Sequence, residues 1–132
     1  MKWSEELSVK IVSIDNQHKK LIEIFNNFTD SINKNSSRER VLEAIKGLKD
    51  YTVYHFSAEE KLMITHKYPG YDLHKKEHDS FVKTVQDYED RFNKGKLLLT
   101  VEISNFINNW ICKHIMNVDG QYSDFLISKG VR

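Results

Sequence analysis

HFSAEEKLMITHKYPGYDLHKKEH, residues 55–78, is the stretch on which the fold turns. It opens on His55 and Glu59 and closes on His74 and His78, so each end carries two metal-ligand types four residues apart. On an α-helix that interval places both side chains on one face, one turn apart. Between the pairs lies Lys67-Tyr68-Pro69-Gly70, with the only proline of the chain. Proline followed by glycine ends a helix. The stretch therefore predicts two helices meeting at a turn, each aiming a pair of ligands at the same interior.

Working outward, the rest of the chain supplies partners for those two helices. Residues 1–15 hold Trp3, Leu7, Val9, Ile11, Val12 and Ile14 without a sustained helical period, which predicts an arm packed across the bundle. A first helix should start near Asp15, a good N-cap residue, and run to about Asn33, with His18, Leu21, Phe25, Phe28 and Ile32 on its seam. Ser36 and Glu39 make a capping box for the second helix, whose seam is Val41, Ile45, Leu48, Thr52, His55, Glu59 and Leu62. The third should start at Tyr71 or Asp72 and end before Gly95, with His74, His78, Phe81, Val85, Tyr88 and Phe92 inward. The fourth should start near Thr100 and present Ile103, Ile107, Trp110, Ile111 and His114; the tail from Gly120 should fold back as a short helical turn. Four amphipathic helices with short joins predict an all-α, up-down-up-down four-helix bundle in one domain spanning residues 1–132.

Composition agrees and narrows the class. The chain has 132 residues, enough for one core. A net charge of +1, with both signs mixed along the chain, gives no footprint for nucleic acid. Hydrophobic residues make up 39%, and no apolar run approaches a membrane span. Met1-Lys2-Trp3-Ser4-Glu5-Glu6 lacks the pattern of a signal peptide, and a lone Cys112 suits a reducing compartment. These features lead to the expectation of a soluble cytoplasmic domain, which is also expected to be a monomer.

Five of the six histidines fall on the apolar seams, together with Glu59. An unpaired carboxylate inside a bundle costs several kcal/mol. One seam histidine would be satisfied by a backbone carbonyl, but five contributed by four helices call for a common partner. Neutral imidazoles and carboxylates are ligands of borderline transition metals. Five imidazoles exceed one tetrahedral zinc site, whereas two metals sharing carboxylates use the whole set. Glu59 is one candidate bridge and Asp119 the other. Five residues beyond His114, Asp119 lies roughly 140° off an ideal α-helical seam. It reaches the interior only where the fourth helix loosens or ends, which Gly120 would allow.

The order His18, His55-x-x-x-Glu59, His74-x-x-x-His78, His114-x-x-x-x-Asp119 resembles that of the hemerythrins, in particular the single-domain bacterial ones. Trp3, the Asp15-x-Gln17-His18 opening, Phe56 and Trp110 extend the likeness to nearly the whole chain. The resemblance implies a centre of two non-haem iron ions, oxo- or hydroxo-bridged, that binds dioxygen reversibly. By the same likeness His74, His78 and His114 hold one iron, His18 and His55 hold the other and leave it an open position, and Glu59 and Asp119 bridge both. Leu21, Phe56, Trp110 and Ile111 would face the open position as an apolar pocket, and Tyr122 would hydrogen-bond a bridging carboxylate. Oxygen storage, delivery or scavenging is the leading function, without enzymatic turnover. The alternatives are a di-iron enzyme reducing peroxide, nitric oxide or oxygen, and an oxygen or iron sensor acting through a partner. His66 reads as a surface residue, and Lys75, Lys76 and Glu77 as a solvated face.

Overall fold

In a computed structural model of the protein, residues 2–33, 38–94 and 99–131 are described. The side chain of Ile32, the Ser36 capping box and the Gly95 stop lie outside the described residues. Four long helices run up and down: α1 (Val12–Asn33), α2 (Arg38–Thr65), α3 (Tyr71–Asn93) and α4 (Leu99–Lys113). Beyond α4 comes a π-helical segment, His114–Asp119, followed by α5 (Gly120–Ser128). No strand occurs among the described residues, and no helix there is long and apolar enough to cross a membrane.

The seams enter the core as their periodicity dictates. Phe25 and Phe28 of α1, Ile45 and Leu48 of α2, Phe81 and Phe92 of α3, and Ile103 and Ile107 of α4 belong to one buried cluster. Of the two tyrosines of α2, Tyr51 packs against this cluster and Tyr54 is 61% exposed.

α1 starts earlier than Asp15. The Asp15 backbone N–H already donates to the Ile11 carbonyl, 2.9 Å away, as in a helix under way. The Asp15 carboxylate is not a cap but an anchor for the arm. It accepts from the Ser8 hydroxyl at 2.6 Å and from the Val9 N–H at 2.8 Å. This clamp turns the arm back through Lys10, whose φ of 62° is a left-handed conformation uncommon outside glycine. Val9, Ile11 and Ile14 are thereby pressed against Met63, Tyr122 and Leu126 as a second apolar cluster.

The α2–α3 turn has a similar local logic. Lys67 takes the left-handed position after the helix (φ 55°), and Tyr68 N–H reaches back to the Met63 carbonyl at 2.9 Å. That is the Schellman pattern, which occupies carbonyls a helix end leaves unpaired. A Cβ on Gly70 would sit 2.9 Å from the Tyr68 ring, so a larger residue here would make that ring shift. The tail departs from expectation. Gly120 is helical (φ −59°, ψ −37°), so the chain loosens before it and then continues as α5 rather than folding back as a short turn.

Candidate metal centre

Each helix brings its polar residues to one level of the bundle. His18 comes from α1, His55 and Glu59 from adjacent turns of α2, and His74 and His78 from adjacent turns of α3. His114 and Asp119 bound the π-helical segment. A π turn bonds residue i to i+5, so Asp119 returns above His114 instead of pointing away. All seven side chains are buried, none more than 2% exposed.

The ring nitrogens converge. His74 Nε2 and His114 Nε2 lie 3.2 Å apart, and His78 Nε2 and His114 Nε2 3.0 Å apart. Asp119 spans the centre: Oδ1 is 3.0 Å from both His74 and His114 Nε2, while Oδ2 is 3.1 Å from His18 Nε2. Glu59 Oε1 lies 3.1 Å from His55 Nε2 and 3.4 Å from His78 Nε2. Close as they are, His18 Nε2, Glu59 Oε1 and both Asp119 oxygens form no aligned hydrogen bond.

Two overlapping donor groups result: Glu59, His74, His78, His114 and Asp119 in one, His18, His55, Glu59 and Asp119 in the other. Within each group the donor atoms lie within 4.8 Å of one another, and both carboxylates belong to both groups. Histidine nitrogen and carboxylate oxygen are the donors of borderline divalent metals. The set fits two non-haem iron ions with an oxo or hydroxo bridge and shared carboxylates.

Within the cluster, burial and the attraction between imidazoles and carboxylates oppose each other. Burial disfavours charge on His114, yet the Asp119 carboxylate, with Glu59 and Glu77 behind it, outweighs burial and pushes the imidazole up to about 9. His18 is raised by the same contest, burial opposing and Asp119 prevailing. Asp119 and Glu59 are held below the usual carboxylate range despite burial, chiefly by the His114 and His55 imidazoles respectively. A cation held by these donors would take the place of the imidazole protons.

Of the apolar residues expected to line a pocket, Phe56 and Trp110 touch the donor histidines. Leu21, Phe56 and Ile111 are buried and Trp110 half-buried. Phe56 lies flat on His78 (centroids 3.8 Å, 1° between planes), and Trp110 lies on His114 (4.2 Å, 13°). The fully buried Tyr122 hydroxyl donates to Glu59 Oε2, and burial with the neighbouring carboxylates raises the phenol well above its ordinary value. His66 belongs to neither donor group.

Two further residues hold outer ring nitrogens: Gln17, part of the opening that carries the likeness, and Glu60, which the sequence pattern does not single out. His55 Nδ1–H donates to Gln17 Oε1 at 2.7 Å, and His78 Nδ1–H to Glu60 Oε2 at 2.9 Å. Glu77, read as solvated, is 45% exposed but reaches within 3.5 Å of His114 Nδ1. The available signal was adjacency: Gln17 precedes His18 and Glu60 follows Glu59. Partners of this kind orient metal-binding histidines.

Comparison with known proteins agrees with this geometry. Residues 9–126 match the family described as hemerythrin HHE cation binding domain. A bacteriohemerythrin of Pseudomonas aeruginosa is 35% identical over 122 residues, covering 92% of this chain and 78% of that protein. One of Clostridium acetobutylicum is 33% identical over 128 residues, covering 92% and 98%. A solved wild-type hemerythrin superposes with a TM-score of 0.89 at 29% identity, covering 96% of this chain and 97% of that one.

Proposed function

This chain belongs to the hemerythrin family, and from that premise we propose that it binds dioxygen reversibly for storage, delivery or scavenging. The observation that carries the reading is the donor inventory: five imidazoles against two carboxylates, all buried in one centre. When bound, two ferrous ions supply the electrons that dioxygen takes up on binding and returns on release. Neutral imidazoles stabilise high-valent iron less than additional carboxylates would, which favours return over bond cleavage.

In this reading His74, His78 and His114 hold one ion, and His18 and His55 hold the other, leaving it an open position. Glu59 and Asp119 serve both. Tyr122 fixes the orientation of Glu59 through its hydrogen bond. Leu21, Phe56, Trp110 and Ile111 surround the donors with apolar surface that keeps water and stray protons out. The unit at work is a single domain over residues 1–132, a cytoplasmic monomer with neither nucleic acid nor membrane as partner.

The test is a gas cycle. Iron-loaded protein is reduced anaerobically, exposed to oxygen, then purged, with the visible spectrum followed through several rounds. A recoverable oxygenated band without reductant consumption supports carriage. Steady consumption of reductant replaces this reading with an enzyme, and oxygen-dependent capture of a defined partner replaces it with a sensor.

A further inference from the structure

Each half of the centre has one histidine whose outer nitrogen is firmly hydrogen-bonded, and the two acceptors differ in charge. On the three-histidine side it is the Glu60 carboxylate; on the two-histidine side it is the Gln17 amide. The outer nitrogens of His18, His74 and His114 form no hydrogen bond, although the Glu77 carboxylate lies 3.5 Å from that of His114. We propose that Glu60 is a positioning residue that makes the three-histidine side the tighter of the two metal sites, with Gln17 as its weaker counterpart opposite. The inference rests on the ligand assignment given above.

Glu60 is placed to act as a charged acceptor. Its side chain is 18% exposed, and its other oxygen lies 3.5 Å from Lys75 Nζ. It lines a groove of about 460 Å³ between α2 and α3, which also reaches Phe56 and His78. The Lys75 ammonium gives the carboxylate a cationic neighbour on the side away from His78. An ionised acceptor on Nδ1–H locks the imidazole with its proton outward and its Nε2 lone pair inward. It also makes that lone pair more basic, which strengthens its bond to a cation. The Gln17 amide fixes the same tautomer of His55 but contributes no charge. Phe56, flat against His78, prevents the ring from turning away.

The experiment is a cobalt(II) titration of the metal-free full chain against a competing chelator. Wild-type protein should take up two ions in two separable steps. Glu60→Gln should weaken the tighter step about ten-fold, Glu60→Leu by up to about a hundred-fold, and both should leave the looser step unchanged. Gln17→Glu should tighten the looser step and narrow the gap. In the cobalt-loaded protein the shifted, exchangeable Nδ1–H resonance of His78 should move in Glu60→Gln and be lost to solvent exchange in Glu60→Leu. A merely structural role for Glu60 would not produce that pattern. Equal weakening of both steps, or none, overturns the inference; so does Gln17→Glu without tightening, an arm that survives if Glu60→Leu fails to fold. Uptake of fewer than two ions by wild-type protein is a different failure, that of the ligand assignment itself.

Discussion

The same four helices build two interiors. Toward the ends of α1 and α3 and the starts of α2 and α4, the core is Phe28, Ile45, Leu48, Phe92, Ile103 and Ile107, all at most 1% exposed. Toward the other end the same seams carry five histidines and two carboxylates, buried just as deeply. In the first half, burying each large side chain contributes about 1.5–3 kcal/mol regardless of what else is bound. In the second, burial opposes charge, and the balance depends on whether protons or metal ions occupy the centre. One half makes the bundle fold; the other makes its stability and chemistry conditional on a ligand.

The largest effect that would break this division is in the polar half. Asp119→Ala removes a donor common to both groups, so metal affinity should fall by at least ~100-fold, read as iron per chain after gel filtration. Retention of a stoichiometric pair would show that Asp119 is dispensable and the centre wrongly drawn. Next comes Phe28→Ala in the apolar half, which should cost about 3–5 kcal/mol in denaturant unfolding while leaving two ions per chain. Iron lost in step with stability would mean the two halves are not separable.

How far this contrast can be read in the sequence differs between the halves. The apolar seams have a 3.6-residue period, so the helices, their inward faces and the up-down-up-down bundle follow from the pattern alone. His55 with Glu59, and His74 with His78, obey the same period and come together as their spacing requires. Asp119 breaks it, and a π-helical segment, which an α-helical period does not describe, brings it inward. The start of α1 was misplaced because Asp15 has the chemistry of a cap yet serves to clamp Ser8 and Val9, a tertiary use that local pattern does not encode. Gln17, Glu60 and Glu77 flank the seams where a polar residue looks solvated, and only the packed neighbours reveal their contacts.

A smaller effect concerns what occupies the polar half. In metal-free protein the folded-state value of His114 lies near 9, above the ordinary 6.5, so folding favours its protonated form. Its contribution, at most about 3 kcal/mol, is full below pH ~6.5 and is lost as pH rises through 9. The depressed values of Glu59 and Asp119 act at the acid end, where their contribution is lost as pH falls below the usual carboxylate range. Metal binding requires deprotonated imidazoles, so affinity rises over the interval in which the metal-free protein weakens. Melting curves with and without iron should therefore diverge between pH 6.5 and 9; parallel curves would contradict the exchange of protons for metal. Smaller again is Tyr122→Phe, which strips one hydrogen bond from Glu59 and should cost about 1–2 kcal/mol with the metal pair kept.

The smallest expected effect tests the boundary between the halves. Ile111 is 1% exposed and belongs to the apolar cluster, yet it sits one turn before His114 on the same seam. Ile111→Ala removes three carbon atoms there and leaves space beside the donors. Space lined only by apolar groups stays dry, but this one borders carboxylates and imidazoles able to hold water. Water admitted there brings protons and helps bound oxygen leave in reduced form, so autoxidation of the oxygenated protein should quicken several-fold while iron content is unchanged. The check is the decay of the oxygenated absorption band in air at fixed pH. A rate equal to that of the wild type would place Ile111 among the residues that only fold the bundle, and the wall between the two interiors would then have to be sought at Leu21 or Phe56.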